Sequence, residues 1–60
     1  DMVKKGYAVY KNGWWWRGGD SWSTCPTDPH VGSFGQASVV AKEHNAKVVL
    51  VEILVGVICD

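Results

Sequence analysis

Residues 47–60 place the strongest constraint on the fold. The stretch Lys47-Val48-Val49-Leu50-Val51-Glu52-Ile53-Leu54-Val55-Gly56-Val57-Ile58-Cys59-Asp60 is the most apolar in the chain, and β-branched side chains dominate it. Branching at Cβ restricts χ1 and favours an extended backbone. Read as a strand, one face carries Val49, Val51, Ile53, Val55, Val57 and Cys59; the other carries Val48, Leu50, Glu52, Leu54, Gly56 and Ile58. Both faces are nearly all apolar, the pattern of a central strand covered on either side. Sixty residues leave little material for two covers, so a second chain is expected to supply one of them. The run is too short to cross a bilayer as a helix, which takes about 20 residues, and Glu52 in its middle opposes insertion.

A chain this small holds a single domain, residues 1–60, with a marginal core that needs a staple or a partner. The two cysteines, Cys25 and Cys59, are the natural staple. Joined, they would close a loop worth about 3–4 kcal/mol by chain entropy, comparable to the whole stability of such a domain. A Cys25–Cys59 disulfide is therefore expected, and with it a secreted protein. The chain starts at Asp1 rather than Met, as a processed product or an expressed fragment would, and no signal-peptide pattern stands at its start.

Ahead of the apolar run, residues 3–10 read as a strand, followed by Lys11-Asn12-Gly13 and Trp14-Trp15-Trp16-Arg17. Asn-Gly is the strongest short hairpin signal, because both residues tolerate the positive φ of a type I′ turn. A two-residue loop sets Lys11 opposite Trp14, Tyr10 opposite Trp15, Val9 opposite Trp16 and Ala8 opposite Arg17. Alternation then puts Tyr7, Val9, Lys11, Trp14 and Trp16 on one face, and Ala8, Tyr10, Trp15 and Arg17 on the other. Gly18-Gly19-Asp20-Ser21 ends the strand. Residues 22–25 form a short extended piece, and Pro26, Pro29 and Gly32 make residues 27–32 a loop. Ser33 and Gln36 have the spacing of a capping box, and Asn45 suits a left-handed helix end. A helix of about three turns is expected between them. Its inner face is Phe34, Ala37, Ala41 and His44, or Ala37, Val40, Ala41 and His44. The sum is an α+β fold, a small two-layer domain: an antiparallel sheet with one short helix, in the order β-β-(β)-α-β.

Gly13-Trp14-Trp15-Trp16-Arg17-Gly18 is similar to the paired tryptophans of SH3 domains over those residues alone. The acidic loop and terminal Pro-Tyr pair of that family are absent, so no family is assigned.

Composition narrows the function. Formal net charge is zero, with six basic and six acidic residues. Nucleic-acid binding demands a strong positive balance and is not expected. Cys25, His30, His44 and Cys59 are zinc-ligand types, but no C-x₂₋₄-C knuckle frames them, so neither a metal nor another cofactor is expected. Cys25, Asp28 and His30 are close in sequence, yet the intervening prolines give no reason for a nucleophile–base geometry. Glu52 is read as half exposed or paired with a lysine, because a buried lone carboxylate is costly. No enzyme is expected, since so short a chain leaves little room for a concave site with convergent polar groups.

The aromatic content is the anomaly. Four tryptophans in 60 residues exceed what so small a core holds, and those left outside form a binding patch. Tyr10, Lys11, Trp14, Trp15, Trp16 and Arg17 are the expected binding residues. Lys4, Lys5, Lys11 and Arg17 make this end of the chain locally basic, suited to an anionic membrane surface or a glycan. The function expected is a secreted binding protein, a toxin or antimicrobial protein or a subunit of one, acting at a cell surface through the hairpin. One alternative is a protease-inhibitor or receptor-binding module using the 24–33 loop. Another is a structural subunit of a hetero-oligomer. A protein partner or second chain is expected in each.

Overall fold

The computed structural model describes residues 3–27 and 29–54. Four strands and one helix follow in the order β1 (Val3–Lys11), β2 (Trp14–Gly18), β3 (Ser21–Ser23), α1 (Phe34–His44) and β4 (Lys47–Leu54). The strands form one antiparallel sheet in the spatial order β3-β2-β1-β4. The helix packs against β1 and β4. This is the expected small two-layer α+β domain.

The local signals act where the sequence puts them. Asn12 and Gly13 both take positive φ, 47° and 89°, and the turn they make closes β1 on β2 with Lys11 opposite Trp14 and Tyr10 opposite Trp15. Ser33 Oγ accepts a hydrogen bond from the Gln36 N–H at 3.2 Å, satisfying one of the orphan donors of the first turn. At the other end Asn45 is left-handed, φ 55°. Ala46 N–H donates to Ala41 O at 2.7 Å and Asn45 N–H to Lys42 O at 3.5 Å, the pair of bonds that makes a Schellman ending. Lys42 and His44 lie in the last turn, where positive charge complements the helix dipole.

β1, not β4, is the central strand. β4 pairs with β1 over its whole length, Val3↔Leu54 to Tyr10↔Lys47, and is the edge of the sheet. Leu50 and Leu54 are each 60 % exposed. The expectation of a β4 covered on both faces is corrected accordingly. Its β-branched residues make it a strand, but which strand lies inside is settled by pairing partners, and β1 takes neighbours on both sides. Glu52 is exposed and stands opposite Lys5. Residues 55–60 lie outside the described residues.

The second neighbour of β1 changes along its length. Near the turn it is β2. Below Tyr10 the two strands part, and residues 30–32 lie between them. Tyr7 N–H donates to Gly32 O at 2.9 Å and Gly32 N–H to Tyr7 O at 3.0 Å, while His30 N–H donates to Trp16 O at 2.8 Å. The strap approaches so closely that a Cβ on Gly6 would stand 2.8 Å from Val31 Cγ1 and 2.9 Å from Gly32 O.

The core sits between helix and sheet. Val9, Trp16, Ala37 and Ala41 are its buried members, with Tyr7, Trp22, Val40, Ala46 and Val48 packed around them. Ala37 and Ala41, on the inner helix face, are buried in one cluster with Val9 and Trp16, and the Trp16 Nε1–H donates to Gly19 O at 2.9 Å. Of the two inner faces expected, the one with Val40 forms; Phe34 is 58 % exposed and meets Tyr7 edge-on.

The expected Cys25–Cys59 staple is not counted among the contacts that hold the described fold: no disulfide distance is found among the described residues, and Cys59 lies outside them. Cys25 is not a free thiol; its N–H donates to Ser23 Oγ at 3.0 Å, and its Sγ lies 3.1 Å from Thr27 Oγ1. What visibly holds the described fold is the β1–β4 ladder, the strap and the indole-centred core.

Candidate functional site: the end of the hairpin

The expected binding residues divide among three places. Trp16 is 7 % exposed and belongs to the core, because it lies opposite Trp22 in the middle of the sheet, on the face the helix covers. An indole held there has no free face for a ligand. Tyr10 and Trp15 lie on the other face, half-buried against each other with ring centroids 4.8 Å apart. Arg17 is exposed and follows Trp16 along β2.

Trp14 and Lys11 form the third group. Trp14 shares a face with Trp16 by alternation but lies nearer the turn and is 49 % exposed. With Lys11, Asn12 and Trp22 it lines a concavity of about 450 Å³. Trp22 reaches this hollow because β3 folds back beside β2, Trp16↔Trp22, with a register irregularity between Trp16 and Gly18. Its ring is held edge-on by His44 of the helix at 5.4 Å between centroids. A second concavity, about 390 Å³, is lined by Tyr10, Lys11, Asn12, Gly13, Asn45, Ala46 and Lys47. The two hollows share Lys11 and Asn12 as a common wall. Among the described residues, no acidic side chain lines either hollow.

Trp22, Asn12 and Lys47 therefore join the site although they were not among the expected binding residues. Trp22 and Lys47 are far from the turn in sequence; the β2–β3 fold-back brings one and the β1–β4 register, Tyr10↔Lys47, brings the other. Asn12 was legible as a turn residue only.

The remaining candidates are dispersed. His30 packs its ring on Trp16, 4.9 Å between centroids, and His44 is engaged by Trp22. Among the described residues no three His, Cys, Asp or Glu side chains gather as metal ligands do; Asp28 and Cys59 lie outside them. The 24–33 loop is tied into the sheet at His30 and Gly32, and Pro29 is buried.

No family model, curated protein or solved structure matches this chain.

Proposed function

We propose that the protein is a small secreted binding module that acts at a cell surface through the end of its aromatic hairpin. The observation that carries this reading is the half-exposed indole of Trp14 beside Lys11, on the wall of a hollow that Trp22 completes. A large apolar ring held partly in water favours a partner that covers it. Toxin or antimicrobial action is the activity such a surface would serve, read as growth inhibition of exposed cells.

The test uses the intact protein, fluorescently labelled, bound to whole cells. Trp14→Ala is expected to weaken binding about 10-fold or more, as loss of an aromatic anchor does, with thermal stability nearly unchanged. Equal binding by the variant and the parent would sink the reading.

A second reading, the structural subunit, is favoured by one observation. Tyr7 gives both its N–H and its C=O to Gly32, so the pair Tyr7↔Leu50 is not hydrogen-bonded. Alternation then directs the backbone groups of Val48, Leu50, Glu52 and Leu54 away from β1, at the outer edge. An edge of this kind accepts a strand from another chain. Leu50→Lys would abolish such pairing, and sedimentation over rising concentration reads it; a monomer at every concentration, with no co-purifying chain, removes this reading.

The inhibitor reading of the 24–33 loop has less support, because a strap bonded into the sheet does not stand out for insertion into a partner.

A further inference from the structure

Resting on the reading of β4 as a pairing edge, we propose that two copies of this chain join through that edge. One β4 lies antiparallel to the other, with the two-fold axis passing between the two Val51 residues. The sheet then runs β3-β2-β1-β4-β4-β1-β2-β3 through both copies.

The two edges of the sheet are guarded differently. β3 is 3 residues long and meets β2 with a register irregularity between Trp16 and Gly18, features that discourage the addition of a strand. β4 is 8 residues long, pairs with β1 in unbroken register and carries no proline. Its lysine, Lys47, stands at one end. Among the described residues, no backbone group outside the sheet bonds to Val48, Leu50, Glu52 or Leu54. Val48 packs against the core, so alternation puts Leu50, Glu52 and Leu54 on the helix side of the sheet with it. Leu50 and Leu54 are exposed there.

A second copy completes this edge in a single register. With Val51 on the two-fold axis, Val48 pairs with the partner's Leu54 and Leu50 with the partner's Glu52, and the reverse, so the outward N–H and C=O groups of all these residues are used. Moving the axis to Leu50 sets Leu54 opposite the partner's Ala46, and the Ala46 N–H is already given to Ala41 O. The chosen register lays Val48 beside the partner's Leu54 on one face and Val49 beside the partner's Ile53 on the other, apolar against apolar. Glu52, the one charged residue of 48–54, keeps Lys5 opposite it across the β1–β4 pair. Formal net charge zero leaves no overall repulsion between copies. Because the β3 edge is short and irregular, assembly closes at two copies rather than growing. The two-fold axis turns the hairpin ends to opposite ends of the joined sheet, so each copy keeps its Trp14 clear for a separate partner.

Sedimentation of the intact protein is expected to show a monomer–dimer equilibrium with Kd about 10–100 µM, as a single ladder with few apolar side chains makes a small interface. Hydrogen exchange at the Leu50 and Glu52 amides should be fast in dilute protein and slow as concentration rises. Glu52→Pro deletes an outward N–H and spares the β1–β4 ladder, so it should weaken dimerisation about 10-fold or more with the melting temperature close to the parent's. Val51→Cys places two thiols in a non-hydrogen-bonded pair, Cα atoms about 4.5 Å apart, within disulfide reach. On oxidation it should give a dimer whose linked peptide joins the two introduced thiols, whereas Val49→Cys should not. A dimer that survives Glu52→Pro, or that is lost in Trp14→Ala, overturns the inference, as does cross-linking by Val49→Cys in place of Val51→Cys. Slow exchange at Leu50 and Glu52 at every concentration overturns it too, because the edge is then covered within one chain. If this chain stays monomeric while a different chain occupies β4 and is released by Leu50→Lys, the inference fails and the subunit reading survives. A monomer at every concentration with no co-purifying chain removes both.

Discussion

Trp14 and Trp16 are two residues apart on one strand and share one face of the sheet, yet one is half in water and the other is the centre of the core. The difference lies in what packs around each ring. Trp16 is buried in one cluster with Val9, Ala37 and Ala41, the His30 ring lies 4.9 Å from it, and its indole N–H is satisfied by Gly19 O. The helix ends at His44, and the chain turns at Asn45 into β4. Trp14, nearer the hairpin turn, keeps half its surface exposed and shares its hollow with Trp22. Two identical side chains on one strand thus end in opposite environments, one buried in the core and one half in water.

The sharpest way to break that contrast is Trp16→Ala. It removes the largest core side chain and should cost about 3–5 kcal/mol, enough to unfold a domain of this size; urea denaturation reads it, and a loss no larger than that of Trp14→Ala would show the two sites to be equivalent. Next in size is the helix stop. Asn45→Val forces a β-branched residue into the left-handed region and should cost about 1–2 kcal/mol, whereas Asn45→Gly should be close to neutral. Equal melting temperatures for the two variants would mean that the left-handed ending is not what positions the hollow. Trp15→Ala should cost about 1 kcal/mol through loss of its ring contact with Tyr10, and denaturation midpoints placing it between Trp14→Ala and Trp16→Ala would confirm the ranking. Trp14→Ala comes last in stability, within about 0.5 kcal/mol of the parent as expected of an exposed site, while being largest in binding.

A different measurement sharpens the contrast between β1 and β4. Hydrogen exchange should find the amides of Val49 and Val51, aimed at β1, slower than those of Leu50 and Glu52, aimed outward. Equal protection at all four would mean that another strand covers the edge.

Local structure was readable from short-range chemistry. Asn12-Gly13 specified a turn because its backbone conformation tolerates little else. Ser33, Gln36 and Asn45 marked the helix limits because helix ends must satisfy their own orphan groups. Near the turn the hairpin register followed from loop length, Lys11↔Trp14 and Tyr10↔Trp15, and with it the separation of Trp14 and Trp16 from Tyr10 and Trp15; the expected pairs Val9–Trp16 and Ala8–Arg17 do not form, because residues 30–32 part the strands there. The apolar run at residues 47–54 gave a strand for the reason anticipated, its branched side chains.

What failed to be legible depended on partners distant in sequence. Apolarity on both faces of β4 could not distinguish an inner strand from an edge, because each face reports its own preference for burial and not which backbone will be paired beside it. The strap of residues 30–32, which parts β1 from β2, has no sequence signal beyond Gly6 and Gly32. Burial of Trp16 and exposure of Trp14 were not separable, since alternation assigns them the same face. The site likewise needed three dimensions: Trp22 and Lys47 come to Lys11 and Asn12 only after the sheet is assembled.

The sequence by itself determined the elements, their limits and the faces they present, because backbone dihedrals, caps and side-chain alternation are set by neighbours along the chain. Only the tertiary structure decided which strand is central, which tryptophan is buried and which residues share a hollow. Those outcomes depend on where one element ends relative to another, a distance in space that no local pattern encodes.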